Sequence, residues 1–144
     1  MLNYFAFGSN MSAQRMRERL GWSSSRSGAI LPDYEMIFNK HSNDGGKANI
    51  MYSPGNLVEG ILYSLNEEDL LILDKFEGVA AKQYKRHEIE VQNNKKKSVS
   101  AVAYKALNTG KVSAPTEEYL NYILEGKEFL SPGYYEKLKS TETR

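Results

Sequence analysis

Asn3-Tyr4-Phe5-Ala6-Phe7-Gly8-Ser9-Asn10-Met11 decides how the chain is read, because an apolar, β-prone run stops at Gly-Ser-Asn and a helix-forming segment follows within two residues. Tyr4, Phe5 and Phe7 suit a pleated, half-buried surface. Gly8 admits backbone torsions closed to other residues, and Ser12 is placed to cap a helix over residues 13–20. The stretch therefore reads as strand, tight loop and helix start. Backbone N–H groups in such a loop face outward without intrachain partners and suit an anion, carboxylate or phosphate. Gly-Ser-Asn is also ordinary turn chemistry, so these residues alone leave a plain β-to-α connection open.

The helix that follows sets Met16 and Leu20 on one face, with Arg15, Arg17 and Arg19 on the others, and Gly21 ends it. Three arginines in one helix can hold a phosphate, but they read here as a solvated face. Residues 28–31 and 34–38 read as two strands around a Pro32-Asp33 turn. Residues 48–52 and 57–63 read as a β-hairpin around Ser53-Pro54-Gly55-Asn56. The polar, glycine-rich residues 41–47 form a loop that either folds over a site or merely connects.

Asn66 caps the next helix, in which Leu70, Leu73 and Phe76 recur at three-residue spacing. Glu77 comes four residues after Leu73 and just before the helix-ending Gly78, which puts a carboxylate on the buried face. Such a group is costly unless paired or used; the alternative is a glutamate bending into solvent. Residues 84–91 and 99–107 pair around a lysine-rich tip at 93–97. Thr116 and Ser131 cap two further helices, the second with Pro132 at its first position, and residues 140–144 read as a frayed tail.

With 144 residues, 40% of them hydrophobic, the chain suits one domain, here residues 1–139. A net charge of +1 gives no global field toward nucleic acid or an anionic membrane, and no apolar run approaches the roughly 20 residues of a membrane span. The absence of cysteine removes disulfides and thiolate chemistry. His41 and His87 lack metal-ligand spacing, so no metal is expected. Ser9 lies outside a nucleophile elbow, and no P-loop lysine exists. The expectation is a cytoplasmic protein, monomeric or homodimeric, with no nucleic-acid or membrane partner.

Tyr4-Phe5-Ala6-Phe7-Gly8-Ser9-Asn10-Met11, then Ser53-Pro54-Gly55, then Leu73-Asp74-Lys75-Phe76-Glu77-Gly78-Val79 with Tyr84 after it, resemble the γ-glutamylcyclotransferase family. Pro115-Thr116-Glu117-Glu118-Tyr119, Gly126-Lys127-Glu128 and Tyr134-Tyr135-Glu136-Lys137-Leu138-Lys139 extend the likeness from about Leu2 to Lys139 in unbroken order. The resemblance implies an α+β fold, a small, partly open β-barrel of mixed strands with short helices packed around it. It implies release of 5-oxoproline from a small-molecule γ-glutamyl substrate, without a cofactor.

By the same resemblance Glu77 is the catalytic acid/base. The segment Tyr4, Phe5, Ala6, Phe7, Gly8, Ser9 and Asn10 binds the substrate, its loop amides holding the α-carboxylate, and Tyr119 contacts the substrate. Tyr84 and Tyr104 fall where the family often has tyrosines. Phe7 departs from the family's usual tyrosine, so a hydroxyl is missing beside the loop. Two other functions fit the same residues: a non-catalytic module binding an amino-acid-like ligand, and a hydrolase releasing glutamate.

Overall fold

The computed structural model describes residues 1–144. Five strands, β1 (Leu2–Ala6), β2 (Arg26–Lys40), β3 (Lys47–Leu65), β4 (Tyr84–Gln92) and β5 (Ser98–Ala106), form a barrel in the order β1-β3-β2-β4-β5. The barrel is closed, whereas a partly open one was expected. Closure comes from two narrow seams: the parallel contact Tyr4↔Val102 between β1 and β5, and Ile30↔Gln92 between β2 and β4.

Two sequence expectations are corrected. Residues 26–40 and 47–65 are each one long strand, and they pair antiparallel from Arg26↔Tyr63 to Lys40↔Lys47, so the hairpin turn lies at residues 41–46. Pro32-Asp33 and Ser53-Pro54-Gly55-Asn56 face each other across this ribbon as a bulge, between the pairs Pro32↔Leu57 and Tyr34↔Tyr52. Asp33 and Gly55 both adopt positive φ (64° and 88°), and the Gly55 N–H donates to Asp33 Oδ1 at 3.0 Å. Gly55 adopts the left-handed conformation that a Pro-Gly turn asks of its second central residue. It bends a strand instead of reversing it, because a turn residue's local preference does not say which distant segment pairs with it.

Four α-helices pack on the barrel: α1 (Ala13–Leu20), α2 (Glu67–Phe76), α3 (Glu117–Leu124) and α4 (Pro132–Lys139). Their starts follow the side-chain oxygens of Ser12, Asn66, Thr116 and Ser131, each accepting a backbone N–H of its own first turn. Asn66 forms a reciprocal capping box with Asp69, whose Oδ1 also accepts the Trp22 indole N–H at 2.9 Å. Leu70 and Leu73 are fully buried with Phe5, Ile50, Ile61, Leu65 and Ile123, each such side chain contributing about 1.5–3 kcal/mol. Phe76, expected on the same apolar face, is instead 54% exposed under the Arg19 guanidinium, 4.7 Å from its ring centroid. At the C-terminus the Arg144 N–H donates to the Pro115 carbonyl at 3.0 Å. No helix is long and apolar enough to cross a membrane.

Candidate active site

β1 ends at Ala6, and the chain folds directly into a single 3-10 turn, Ser9–Met11, before α1. Within this turn the N–H groups of Met11 and Ser12 donate to the carbonyls of Gly8 and Ser9. Those of Gly8, Ser9 and Asn10 have no backbone acceptor. The loop is fixed by its side chains. Tyr63 OH donates to the Asn10 carbonyl at 2.6 Å, Asn10 Nδ2 donates to Tyr4 OH at 2.9 Å, and Arg19 Nη1 donates to Asn10 Oδ1 at 3.1 Å. Gly8 has φ −115°, so its role is room and not a left-handed torsion. A Cβ there would lie 3.1 Å from Ala48 Cβ and 3.5 Å from Tyr119 OH.

This loop forms one wall of a cavity of about 180 Å³. Of the residues singled out from sequence, Tyr4, Phe7, Gly8, Ser9, Asn10, Glu77, Tyr84, Tyr104 and Tyr119 line it. Phe5 and Ala6 do not; both are buried in the barrel core. Strand alternation turns Phe5 to the face opposite Tyr4, so a contiguous motif does not make a contiguous lining.

Glu77 enters from the C-terminal end of α2, its backbone helical (φ −84°, ψ −4°) and followed by left-handed Gly78 (φ 66°). The ion pairs of the protein join Lys47 to Asp44 and Arg86 to Glu67 and Asp74, and Glu77 takes part in none. Burial pushes its carboxyl above the ordinary carboxylate range, opposed by the nearby charges of Arg19 and then Arg15. It is the one carboxylate lining the cavity.

The tyrosines divide by what their hydroxyls already do. Tyr119 OH accepts the Ala48 N–H at 3.0 Å, so its own proton stays available to the cavity; burial raises it to about 12. Tyr84 OH donates to the Ala48 carbonyl at 3.0 Å. Tyr104 OH donates to Asp74 Oδ1 at 2.7 Å and lies 3.2 Å from the Leu70 carbonyl, tying β5 to α2. Burial pushes Tyr4, Tyr84 and Tyr104 upward, so all are neutral near pH 7.

Sequence reasoning missed Arg15, Arg19, Lys47, Ala48 and Phe76, which complete the lining. Of the arginines read as a solvated face only Arg17 is exposed; Arg15 and Arg19, four residues apart, turn one side of α1 to the cavity. That i, i+4 spacing was the available signal. A second, wider groove of about 510 Å³ adjoins the cavity and shares Lys47, Phe76, Glu77 and Tyr84 with it. Its far side carries Lys40, His41, Ser42, Asn43 and Gln83, from the end of β2, the loop after it and the residue before β4. Lys40 is buried there, its Nζ donating to the His41 carbonyl at 2.8 Å and to Gln83 Oε1 at 2.7 Å.

The AIG2-like family matches residues 57–138. Two curated relatives, the γ-glutamylcyclotransferases of Bos taurus and Homo sapiens, are each 32% identical over 96% of this chain and 78% of their own length. A solved γ-glutamyl cyclotransferase structure superposes with a TM-score of 0.88 at 32% identity, over 99% of this chain and 89% of that one. The structure of a glutathione-specific γ-glutamyl cyclotransferase from yeast, at 14% identity and TM-score 0.65, has a similar fold. With sequence and architecture agreeing over nearly its whole length, the chain belongs to the AIG2-like, γ-glutamylcyclotransferase family of enzymes.

Proposed function

We propose that this enzyme releases 5-oxoproline from a γ-glutamyl compound, with Glu77 as its acid and base. The observation that carries the reading is the position of Glu77: a carboxylate without a protein ion-pair partner, where the cavity beside the Gly8–Asn10 loop meets the outer groove. A γ-glutamyl substrate has that shape. Its zwitterionic head would occupy the cavity, its leaving group the groove, and its amide bond the junction between them.

The substrate carries its own nucleophile. Its α-amine titrates near roughly 8 and is mostly protonated at neutral pH. An ordinary glutamate, near about 4.3, is a weak base for that proton. Burial brings Glu77 closer to working pH. Once Glu77 has taken the proton, the α-nitrogen attacks the γ-carbonyl carbon and closes a five-membered ring. Glu77 hands that proton to the departing nitrogen as the original amide C–N bond breaks, then takes the second proton from the ring nitrogen, leaving the lactam N–H, and passes it to the released amine, which departs as an ammonium ion. The products are 5-oxoproline and a free amine or amino acid.

Tyr119, with its hydroxyl proton uncommitted, is suited to donate to the carbonyl oxygen as negative charge grows there. The loop amides would hold the α-carboxylate and so select the substrate conformer that cyclises. Oriented intramolecular attack reaches effective molarities of roughly 10⁵ M or more, whereas general acid-base help supplies about 10²–10⁴-fold. Positioning is therefore the larger contribution. The test is a panel of γ-glutamyl amino acids and γ-glutamylamines incubated with the protein, with 5-oxoproline and glutamate both measured by mass. Glutamate in place of 5-oxoproline, or tight binding without product, overturns the proposal.

A further inference from the structure

We propose that Arg15 is the charged receptor for the substrate's α-carboxylate, working with the Gly8–Asn10 amides and held beside them by α1; this rests on the γ-glutamyl reading above. Three observations carry it. First, the Arg15 guanidinium is unused: it enters no ion pair, and its Nε is buried without a hydrogen-bond partner although it lines the cavity. A buried guanidinium donor left unpaired is costly, and a planar fork of five donors fits a carboxylate in two places at once.

Second, the side chain is fixed before any ligand arrives. Its backbone N–H sits on the Ser12 cap at 3.1 Å, and its guanidinium carbon stacks 4.5 Å above the centroid of the Tyr122 ring. One turn further along α1, Arg19 is spent on Asn10 Oδ1 and the face of Phe76. The two arginines thus divide the work: Arg19 steadies the loop, and Arg15 keeps its donors free.

Third, the location distinguishes the α-carboxylate from any acidic group on the leaving side. Arg15, Arg19 and the loop line the inner cavity and are absent from the outer groove, whose own cation is Lys40, Lys47 standing between the two. An anion recognised by Arg15 is therefore on the head of the substrate. Arg15 completes a clamp in which Glu77 meets the ammonium and Arg15 the carboxylate of one amino-acid group.

The experiment compares two substrates that differ only at this group: a γ-glutamyl amine and its α-carboxamide counterpart, which cyclises to 5-oxoprolinamide and the same amine. In the wild type the carboxylate form should have the lower KM. Arg15→Gln should raise KM for the carboxylate substrate by about 10–100-fold, as expected for loss of a charge-assisted pair, with a smaller change in kcat. It should leave the carboxamide substrate's KM within about twofold, and Arg15→Lys should recover part of the loss. A variant weakened only through lost Tyr122 stacking would handicap both substrates alike, and that result overturns the assignment. So does an unchanged KM for the carboxylate substrate while 5-oxoproline is still formed. Absence of 5-oxoproline from the wild type with every γ-glutamyl compound overturns the function reading as well.

Discussion

The two compartments that meet at Glu77 are built in opposite ways. The inner one is made of groups already committed to one another: Tyr63 to the Asn10 carbonyl, Asn10 to Tyr4, Arg19 to Asn10, and Ala48 held at its N–H by Tyr119 and at its carbonyl by Tyr84. The outer one is wide, and its far side is formed by the exposed residues 41–43, with Lys40 and Gln83 beneath them. On the proposed reaction, rigidity follows the part of the ligand that stays constant. The γ-glutamyl head would be common to every substrate, so a preorganised cavity would lose little on binding it. A leaving group that varies is better met by a polar surface loop.

The largest expected break in this contrast is at the junction. Glu77→Gln should lower 5-oxoproline formation by about 10²–10⁴-fold while substrate binding, followed by calorimetry, persists. Retention of normal turnover would remove the carboxylate from the mechanism. Next comes the inner wall. Tyr119→Phe removes the uncommitted hydroxyl and the acceptor of the Ala48 N–H, and should cut kcat/KM roughly 10-fold, whatever the leaving group, given about 1–1.5 kcal/mol per hydrogen bond. An effect confined to some leaving groups would place Tyr119 on the outer side.

The outer groove should respond selectively. Lys40→Met removes a buried cation that has only neutral partners, and should reduce kcat/KM several-fold for leaving groups that carry a carboxylate and much less for simple amines. A uniform loss would dissolve the distinction between compartments.

The smallest effect is on stability. Burial raises Glu77 in the folded state, so folding favours its protonated form; that contribution is complete below the unfolded value near about 4.3 and is lost as pH rises through the folded value. Glu77→Gln, which cannot ionise, should therefore match the wild-type Tm near pH 4 and exceed it by a few degrees at pH 8. A variant less stable at pH 8 than at pH 4, relative to wild type, would mean that the carboxylate is satisfied within the protein.

Much of the architecture was legible because its signals are local. Ser12, Asn66, Thr116 and Ser131 start helices where a side-chain oxygen precedes helix-forming residues, and Leu70 and Leu73 disclosed the buried face of α2. Pro32-Asp33 and Pro54-Gly55 form a bulge where the sequence suggests turns, because bulge and turn make the same local demand, a positive φ, and differ only in a partner strand some twenty residues away. The site divided similarly. Glu77 stood out through its phase on α2, and the loop through its glycine, but Arg15 and Arg19 looked like solvated charge until α1 was placed against the loop. Phe5 and Ala6 belong to the motif yet lie in the barrel core.

The seam that closes the barrel is also part of the pocket wall. β1 meets β5 through the single pair Tyr4↔Val102, residues nearly a hundred positions apart, and the same Tyr4 lines the cavity and accepts the Asn10 amide. Closing a contact so distant in sequence costs chain entropy that a single residue pair repays poorly. Pocket and seam share Tyr4, and a small molecule lodged beside it acts as a clasp on the seam, raising the concentration of denaturant needed to part it.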